Sequence, residues 1–314
     1  MNFYLIGVDY RVADIKTRED ILERKNEISN FFATRYPKSS LFVTCNRFEV
    51  SLLGDEYPQK EFISPNAYLL SGKTHIFKHA LRLAVGLESQ LKGERQILQQ
   101  IGQWYKNIPF VLQDLWQKAY LDAEYVRNIS GLNKISYDIA HIIYNDIKKN
   151  IPHKPLQGLI VGTGKIAELF AFWHPSSIEL TFVGNKNKER ASLLAIKARG
   201  KILSITELKE AIERMDFIVS ATKSPHFILR QADIKGVVLR RKTPLYIYDL
   251  AIPRDIDPEV KNLTNVILKN MDDLKDNFES ANLNIKDRLS LATYLVEERV
   301  DVYTRWYSAE PACI

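Results

Sequence analysis

Cysteine is scarce in this 314-residue chain: Cys45 and Cys313 are the two, and they stand far apart. That excludes a disulfide framework and the short ligand spacings of a zinc site, and it fits a reducing compartment. Long apolar runs are missing as well; none reaches the ~20 residues that span a bilayer. The opening MNFYLIGVDYRV has no basic residues ahead of its apolar run, so it reads as a first strand, not a signal peptide. A soluble cytoplasmic protein without membrane contact is expected. Neither sign of charge dominates: 44 Lys and Arg face 38 Asp and Glu, a net +6 shared evenly between residues 1–150 and the rest. No basic arm stands out, although the mild positive balance permits a polyanionic partner such as RNA. Internal repeats and low-complexity segments are absent too.

What is present is ordinary globular composition, 46% hydrophobic and 26% charged, at a length that suits about two domains. Residues 3–8 and 41–45 read as strands on either side of a helix at 18–33, with a third strand at 50–53. Residues 57–72 look loop-like. From 74 to 149 the pattern is mostly helical, with His79, Leu83, Gly86, Leu87, Leu91 and Ile97 at helical spacing. Pro152 and Pro155 end it. Beyond them, apolar strands at 158–162, 178–184, 215–222 and 244–251 alternate with helices, the pattern of a parallel doubly wound sheet. Asp273–Tyr307 is helical again, highly charged, and free of Gly and Pro. The expected fold is α/β: an N-terminal α+β catalytic module over 1–150, a Rossmann-type sheet over 151–272, and a long C-terminal helix over 273–314.

Gly162-Thr163-Gly164-Lys165-Ile166-Ala167 is a GxGxxA motif between a strand and a helix. The glycines permit a tight turn and close approach to a pyrophosphate, and the helix N-terminus offers free N–H groups. The bland alternative is a Gly-rich turn that binds nothing. The next strand ends in Asn185-Lys186-Asn187-Lys188. No carboxylate stands there to accept from a ribose 2′-hydroxyl or to repel a 2′-phosphate, so NADP is favoured over NAD. Ser220 and Thr222 end a further strand, where open-sheet ligands bind; they contact the cofactor or simply close the strand.

Thr44-Cys45-Asn46-Arg47-Phe48-Glu49 carries the main chemical signal. The cysteine ends an apolar strand, Arg47 can favour the thiolate, and Thr44 and Asn46 can donate to an oxyanion. A strand cysteine is also commonly a small buried hydrophobe. A nucleophilic thiol joined to a hydride-carrying module suggests that sulfur takes up an activated acyl group, whose thioester is then reduced to an aldehyde. His75 and His79 are four apart on one helix face, but no third metal ligand accompanies them.

TCNRFE (44–49) and HALRLAVGLESQLKGERQIL (79–98) resemble two active-site blocks of the glutamyl-tRNA reductases. GVDYRVADIKTRE (7–19), GTGKIAE (162–168), GNKNKERA (184–191), DFIVSAT (216–222) and DLAIPRDIDPEV (249–260) are similar to further blocks of that family, in the same order. The resemblance implies NADPH-dependent reduction of glutamyl-tRNA to glutamate-1-semialdehyde, the first step of five-carbon tetrapyrrole (haem, porphyrin) synthesis. It implies Cys45 as the nucleophile and His79 as acid or base. It implies a glutamate pocket of Thr44, Asn46, Arg47, Glu49, Ser89, Glu94 and Gln96, with Arg47 on the substrate carboxylate. The cofactor would lie against residues 162–167, Asn185, Lys186, Ser220 and Thr222. A downstream aminomutase is an implied partner for the unstable aldehyde.

The chain departs from the family pattern at Tyr10, Asp14, Val85, Arg95 and Lys186, where histidine, proline, a small residue, proline and arginine are usual. Family members also continue past the charged helix into a dimerisation domain, whereas this sequence stops at Ile314. The family-type homodimer is therefore expected to be lost or replaced. Two other readings stay open: a paralogue that reduces another acyl ester or thioester, and a non-catalytic regulator that binds NADPH or tRNA.

Overall fold

A computed structural model describes residues 1–135, 138–151, 155–184 and 187–309. It divides into two units, Met1–Ser136 with Phe278–Ile314, and Tyr137–Asn277.

The first unit opens with β1 (Asn2–Asp9), α1 (Ile15–Glu23), α2 (Lys25–Arg35), β2 (Ser39–Thr44), β3 (Arg47–Gly54) and β4 (Tyr68–Ser71). The strands form an antiparallel sheet in the order β2-β3-β1-β4. Alternation with period two sends Tyr4, Ile6, Val8, Phe48, Val50 and Leu52 to one face, against Ile21, Ile28 and Phe32 of α1 and α2. Leu5, Phe42 and Leu53 face the other way, towards Phe77, Ala80 and Leu81 of α3 (Lys73–Val85). β4 lies in a segment that reads as loop. Its four residues, none of them buried, are too few for a period to register.

α3 stops at Val85 because Gly86 turns left-handed, at φ 88°, and its N–H closes onto the carbonyls of Arg82 and Leu83. The helical spacing that seems to run on to Ile97 is therefore broken, and residues 86–95 form an irregular loop. α4 (Gln96–Trp104) and α5 (Phe110–Ile129) follow.

The second unit comprises α6 (Ile139–Asn150), β5 (Leu156–Val161), α7 (Lys165–Phe172), β6 (Ile178–Val183), α8 (Lys188–Lys197) and β7 (Lys201–Leu203). It continues with α9 (Leu208–Ala211), β8 (Phe217–Ser220), α10 (Gln231–Val238), β9 (Leu245–Asp249) and β10 (Val266–Asn270). All strand pairs are parallel, in the order β10-β9-β8-β5-β6-β7. The order reverses between β5 and β8, which is the doubly wound arrangement with its ligand crevice at that switch point. Short β7 and half-buried β10 extend the sheet beyond the four apolar strands visible as runs in the sequence. α6 is tied to this sheet by Asp146, which accepts from Tyr248 Oη (2.8 Å) and Lys269 Nζ (2.6 Å).

α11 (Lys275–Leu283) and α12 (Lys286–Ala309) replace the single helix expected at the end. Before the break, Asn282 directs its side chain to the Gln90 carbonyl (3.0 Å) and the Lys92 N–H (2.8 Å). α12 then packs on α3, with the rings of Phe77 and Tyr303 stacked 3.7 Å apart. Among the described residues no helix is long and apolar enough to cross a membrane.

Candidate active site

Cys45 is exposed and sits with Asn46 in the two-residue turn between β2 and β3, closed by the Thr44–Arg47 pair. The cysteine thus lies just past the strand, at the hairpin tip. The Asn46 carbonyl accepts from Tyr10 N–H (3.2 Å), and its Oδ1 accepts from Arg18 (2.7 Å), a buried residue of α1. Thr44 Oγ1 accepts from the Asn46 N–H (3.3 Å). Water reaches the cysteine, yet protein crowds around it. Desolvation pushes the thiol up to about 11, the Glu94 carboxylate adds to the rise, and the Arg18 guanidinium opposes it. Arg18, rather than the adjacent Arg47, is therefore the cation that acts most strongly on the thiol.

Arg47 is buried and occupied. Its Nη1 donates to Glu49 and to Tyr68 Oη (2.9 Å) and lies 3.2 Å from Asp9, while Nη2 donates to the Glu88 carbonyl (3.1 Å). Register explains the cluster. Glu49 pairs with Gly7, and Gly7 pairs with Tyr68, so the three form one row across β3, β1 and β4. Gly7 has no side chain, and the Tyr68 ring crosses that gap to donate its hydroxyl to Glu49 Oε1. A Cβ on Gly7 would stand 2.4 Å from the ring. The same oxygen contacts His79 Nε2 of α3 at 2.8 Å. Burial alone would raise Glu49, but Arg47 and His79 hold it well below the usual carboxylate range. Ionised Glu49 thus accepts an N–H from His79 Nε2, which sets the orientation of the ring. Glu49 acts on the histidine's orientation.

The loop at 86–95 carries Glu88, Ser89 and Glu94, and leads to Gln96 at the start of α4. Buried Arg127 of α5 pins it, donating to the carbonyls of Val85 (2.7 Å), Gly93 (2.9 Å) and Glu94 (3.0 Å). Desolvation, followed by the nearby Arg95, lowers that guanidinium to about 10. Burial raises Glu94, against the hydrogen bond from Ser89 and the charges of Arg127 and Arg47. Gln96 Nε2 is buried with no hydrogen-bond partner among the described residues. Cys45, Arg18 and Glu94 thus form one electrostatic neighbourhood, and His79, Glu49, Arg47 and Tyr68 form a hydrogen-bonded one at the same end of the sheet.

In the second unit, Gly162 follows β5 with φ 112°, where a Cβ would lie 2.7 Å from the Ala221 carbonyl oxygen. Only glycine fits this turn. Gly164 caps α7, and a Cβ there meets nothing nearer than 4.0 Å. The space over the helix N-terminus is therefore open, which fits a pyrophosphate. Thr163 and Ile166 are half-buried, Ala167 is buried, and Lys165 pairs with Glu168 (3.2 Å). Ser220 and Thr222 both turn inward: their hydroxyls donate to Asp255 at 2.7 and 2.6 Å. Asn185 and Lys186 lie outside the described residues. Beside Asp255, burial and that neighbour push buried Asp249 up to about 7, against N–H donors from Ile256 and Ala251.

Sequence reasoning missed Tyr68, Asp9, Arg18, Arg127 and Asp255. Their partners are far away in the chain, and a lone polar residue in an apolar strand was the one available hint. A cavity of about 910 Å³ opens at the other end of the antiparallel sheet, beside Tyr36, Leu53 and Glu56, and contains none of the candidate residues.

Residues 6–127 match the family model described as glutamyl-tRNAGlu reductase, N-terminal domain. Residues 146–277 match the model described as shikimate / quinate 5-dehydrogenase. A glutamyl-tRNA reductase of Lawsonia intracellularis is 28% identical, over 98% of this chain and 78% of that protein. One of Nitratidesulfovibrio vulgaris is 29% identical, over 97% and 76%. Among solved structures, a glutamyl-tRNA reductase from Methanopyrus kandleri aligns over 97% of this chain and 81% of its own, with 23% identity and a TM-score of 0.47.

Proposed function

We propose that this chain is a member of the glutamyl-tRNA reductase family, on the match of residues 6–127 and the relatives at 28–29% identity, and that it reduces glutamyl-tRNA to glutamate-1-semialdehyde through a thioester on Cys45. The observation that carries this reading is an exposed thiol at a hairpin tip, on the same sheet end as a histidine oriented by an ionised glutamate. The thiol is largely protonated at neutral pH, so it loses its proton as its sulfur attacks the ester carbonyl. The C–O bond to the terminal ribose breaks, the ribose hydroxyl takes up a proton, and the glutamyl group stays on sulfur. His79 is the acid–base group for these transfers, a role worth roughly 10²–10⁴-fold in general. The backbone around Gly162 and Gly164 would hold NADPH, whose chemistry would be hydride supply for reduction of the thioester to the aldehyde. The choice of NADPH over NADH rests on the end of β6, where Lys188 opens α8 and no carboxylate stands in the sequence from 184 to 188. The aldehyde is unstable, which favours direct transfer to an aminomutase.

Mass spectrometry after incubation with glutamyl-tRNA and no NADPH tests the reading. A glutamyl adduct on Cys45 is expected, absent in Cys45→Ser together with all turnover. Turnover without any adduct would refute it.

A further inference from the structure

We propose that Arg82 is the receptor for a substrate oxyanion, an inference that rests on the reaction assigned above. Among the described residues, three guanidiniums contact Glu88: those of Arg11, Arg47 and Arg82. Arg47 is buried, with both terminal nitrogens donating inward. Arg11 grips Asp9 through Nε and Nη2 and Glu88 through Nη1. Arg82 differs from both. Its Nε donates to Glu88 Oε1 at 2.6 Å, and neither terminal nitrogen makes a hydrogen bond among the described residues. The side chain is 29% exposed. Glu88 is itself held by Arg11, so the anchor under Arg82 is fixed from a second side. A guanidinium gripped at Nε with its terminal pair open presents two parallel N–H groups, the geometry that carboxylate and phosphate oxygens match.

Placement supports the assignment. Arg82 lies three residues after His79 on α3, so both side chains share one helix face. The charge around it is unbalanced: Arg11, Arg82 and Lys92 stand against the two carboxylates of Glu88 and Asp9. Two oxyanions on the substrate offer this chemistry, the side-chain carboxylate of the glutamyl group and a phosphate near the ester-bearing ribose.

The test compares wild type, Arg82→Gln and Arg82→Lys on three substrates: glutamyl-tRNA, the same tRNA charged with glutamine, and a glutamyl ester of adenosine without phosphate. Arg82→Gln should raise KM for glutamyl-tRNA about ten- to a hundredfold with kcat little changed. Arg82→Lys, which keeps a cation for Glu88 but lacks the fork, should not restore it. If the carboxylate is bound, the penalty vanishes with the glutaminyl substrate; if a phosphate is bound, it vanishes with the adenosine ester. Equal KM values for wild type and Arg82→Gln on glutamyl-tRNA overturn the assignment, as does one penalty common to all three substrates, which marks a structural role. Absence of the Cys45 adduct in wild type, by contrast, defeats the underlying reaction.

Discussion

At the end of the antiparallel sheet, Asp9, Arg47, Glu49, Tyr68 and His79 bind one another through their side chains. At the end of the parallel sheet, Gly162 and Gly164 offer main chain, and the nearby hydroxyls of Ser220 and Thr222 are engaged by Asp255. The first site works by charge: each ionised group is set by the next, so substitutions there should register in pKa and orientation. The second works by shape: a tight turn and an open helix end need only the absence of side chains, so substitutions should register as clashes. Substrate chemistry needs a particular acid, base and nucleophile, whereas a pyrophosphate needs N–H donors that any backbone carries.

The comparison can be broken at three points. The largest effect concerns Asp249, a buried charge in the unit that works by shape. Its folded value of about 7 lies above its ordinary 3.8. A carboxyl raised on folding stabilises fully below the ordinary value, and that contribution is lost as pH rises through about 7. The second unit should therefore lose up to about 4 kcal/mol between pH 4 and 7. Thermal unfolding should show a flatter pH dependence in Asp249→Asn; an unchanged slope would mean that the main-chain N–H groups of Ala251, Asp255 and Ile256 already keep Asp249 ionised.

Next in size, Gly162→Ala should weaken NADPH binding by roughly ten- to a hundredfold through backbone strain and the contact with Ala221. Formation of the Cys45 adduct should be unaffected. Calorimetry and adduct mass spectrometry together read this, and a loss of both would tie the two sites more closely than their construction suggests.

The smallest effect sharpens the charge-based side. Glu94 raises the Cys45 thiol, so Glu94→Gln should move its titration down from about 11 towards the ordinary 9.0. Iodoacetamide alkylation at pH 8 should quicken by about three- to tenfold. No change would place the rise with burial alone.

Much of the candidate nucleotide site was legible because its requirements are local. A strand, two glycines and a helix start occur within one short stretch, and Gly162 and Gly164 fall where that spacing puts them. The Cys45 motif was legible for the same reason, although the turn moved the sulfur off the strand. Arg47 shows the limit. Its nearness in sequence to Cys45 suggested a thiolate partner and the family resemblance a carboxylate receptor, but its donors are engaged by Asp9, Glu49 and Tyr68. Tyr68 sits in a stretch that looked like loop, and no period links it to Gly7 or Glu49.

By itself, then, the sequence determined the succession of elements, the parallel sheet with its glycine turn, and the candidate nucleophile. Each depends on side-chain period or on the backbone freedom of a few neighbouring residues. Only the tertiary structure decided which cation faces the thiol, that Glu49 aims His79, and that Arg82 keeps its fork open. Those outcomes depend on strand register and on burial, which bring together groups that chain order leaves tens of residues apart.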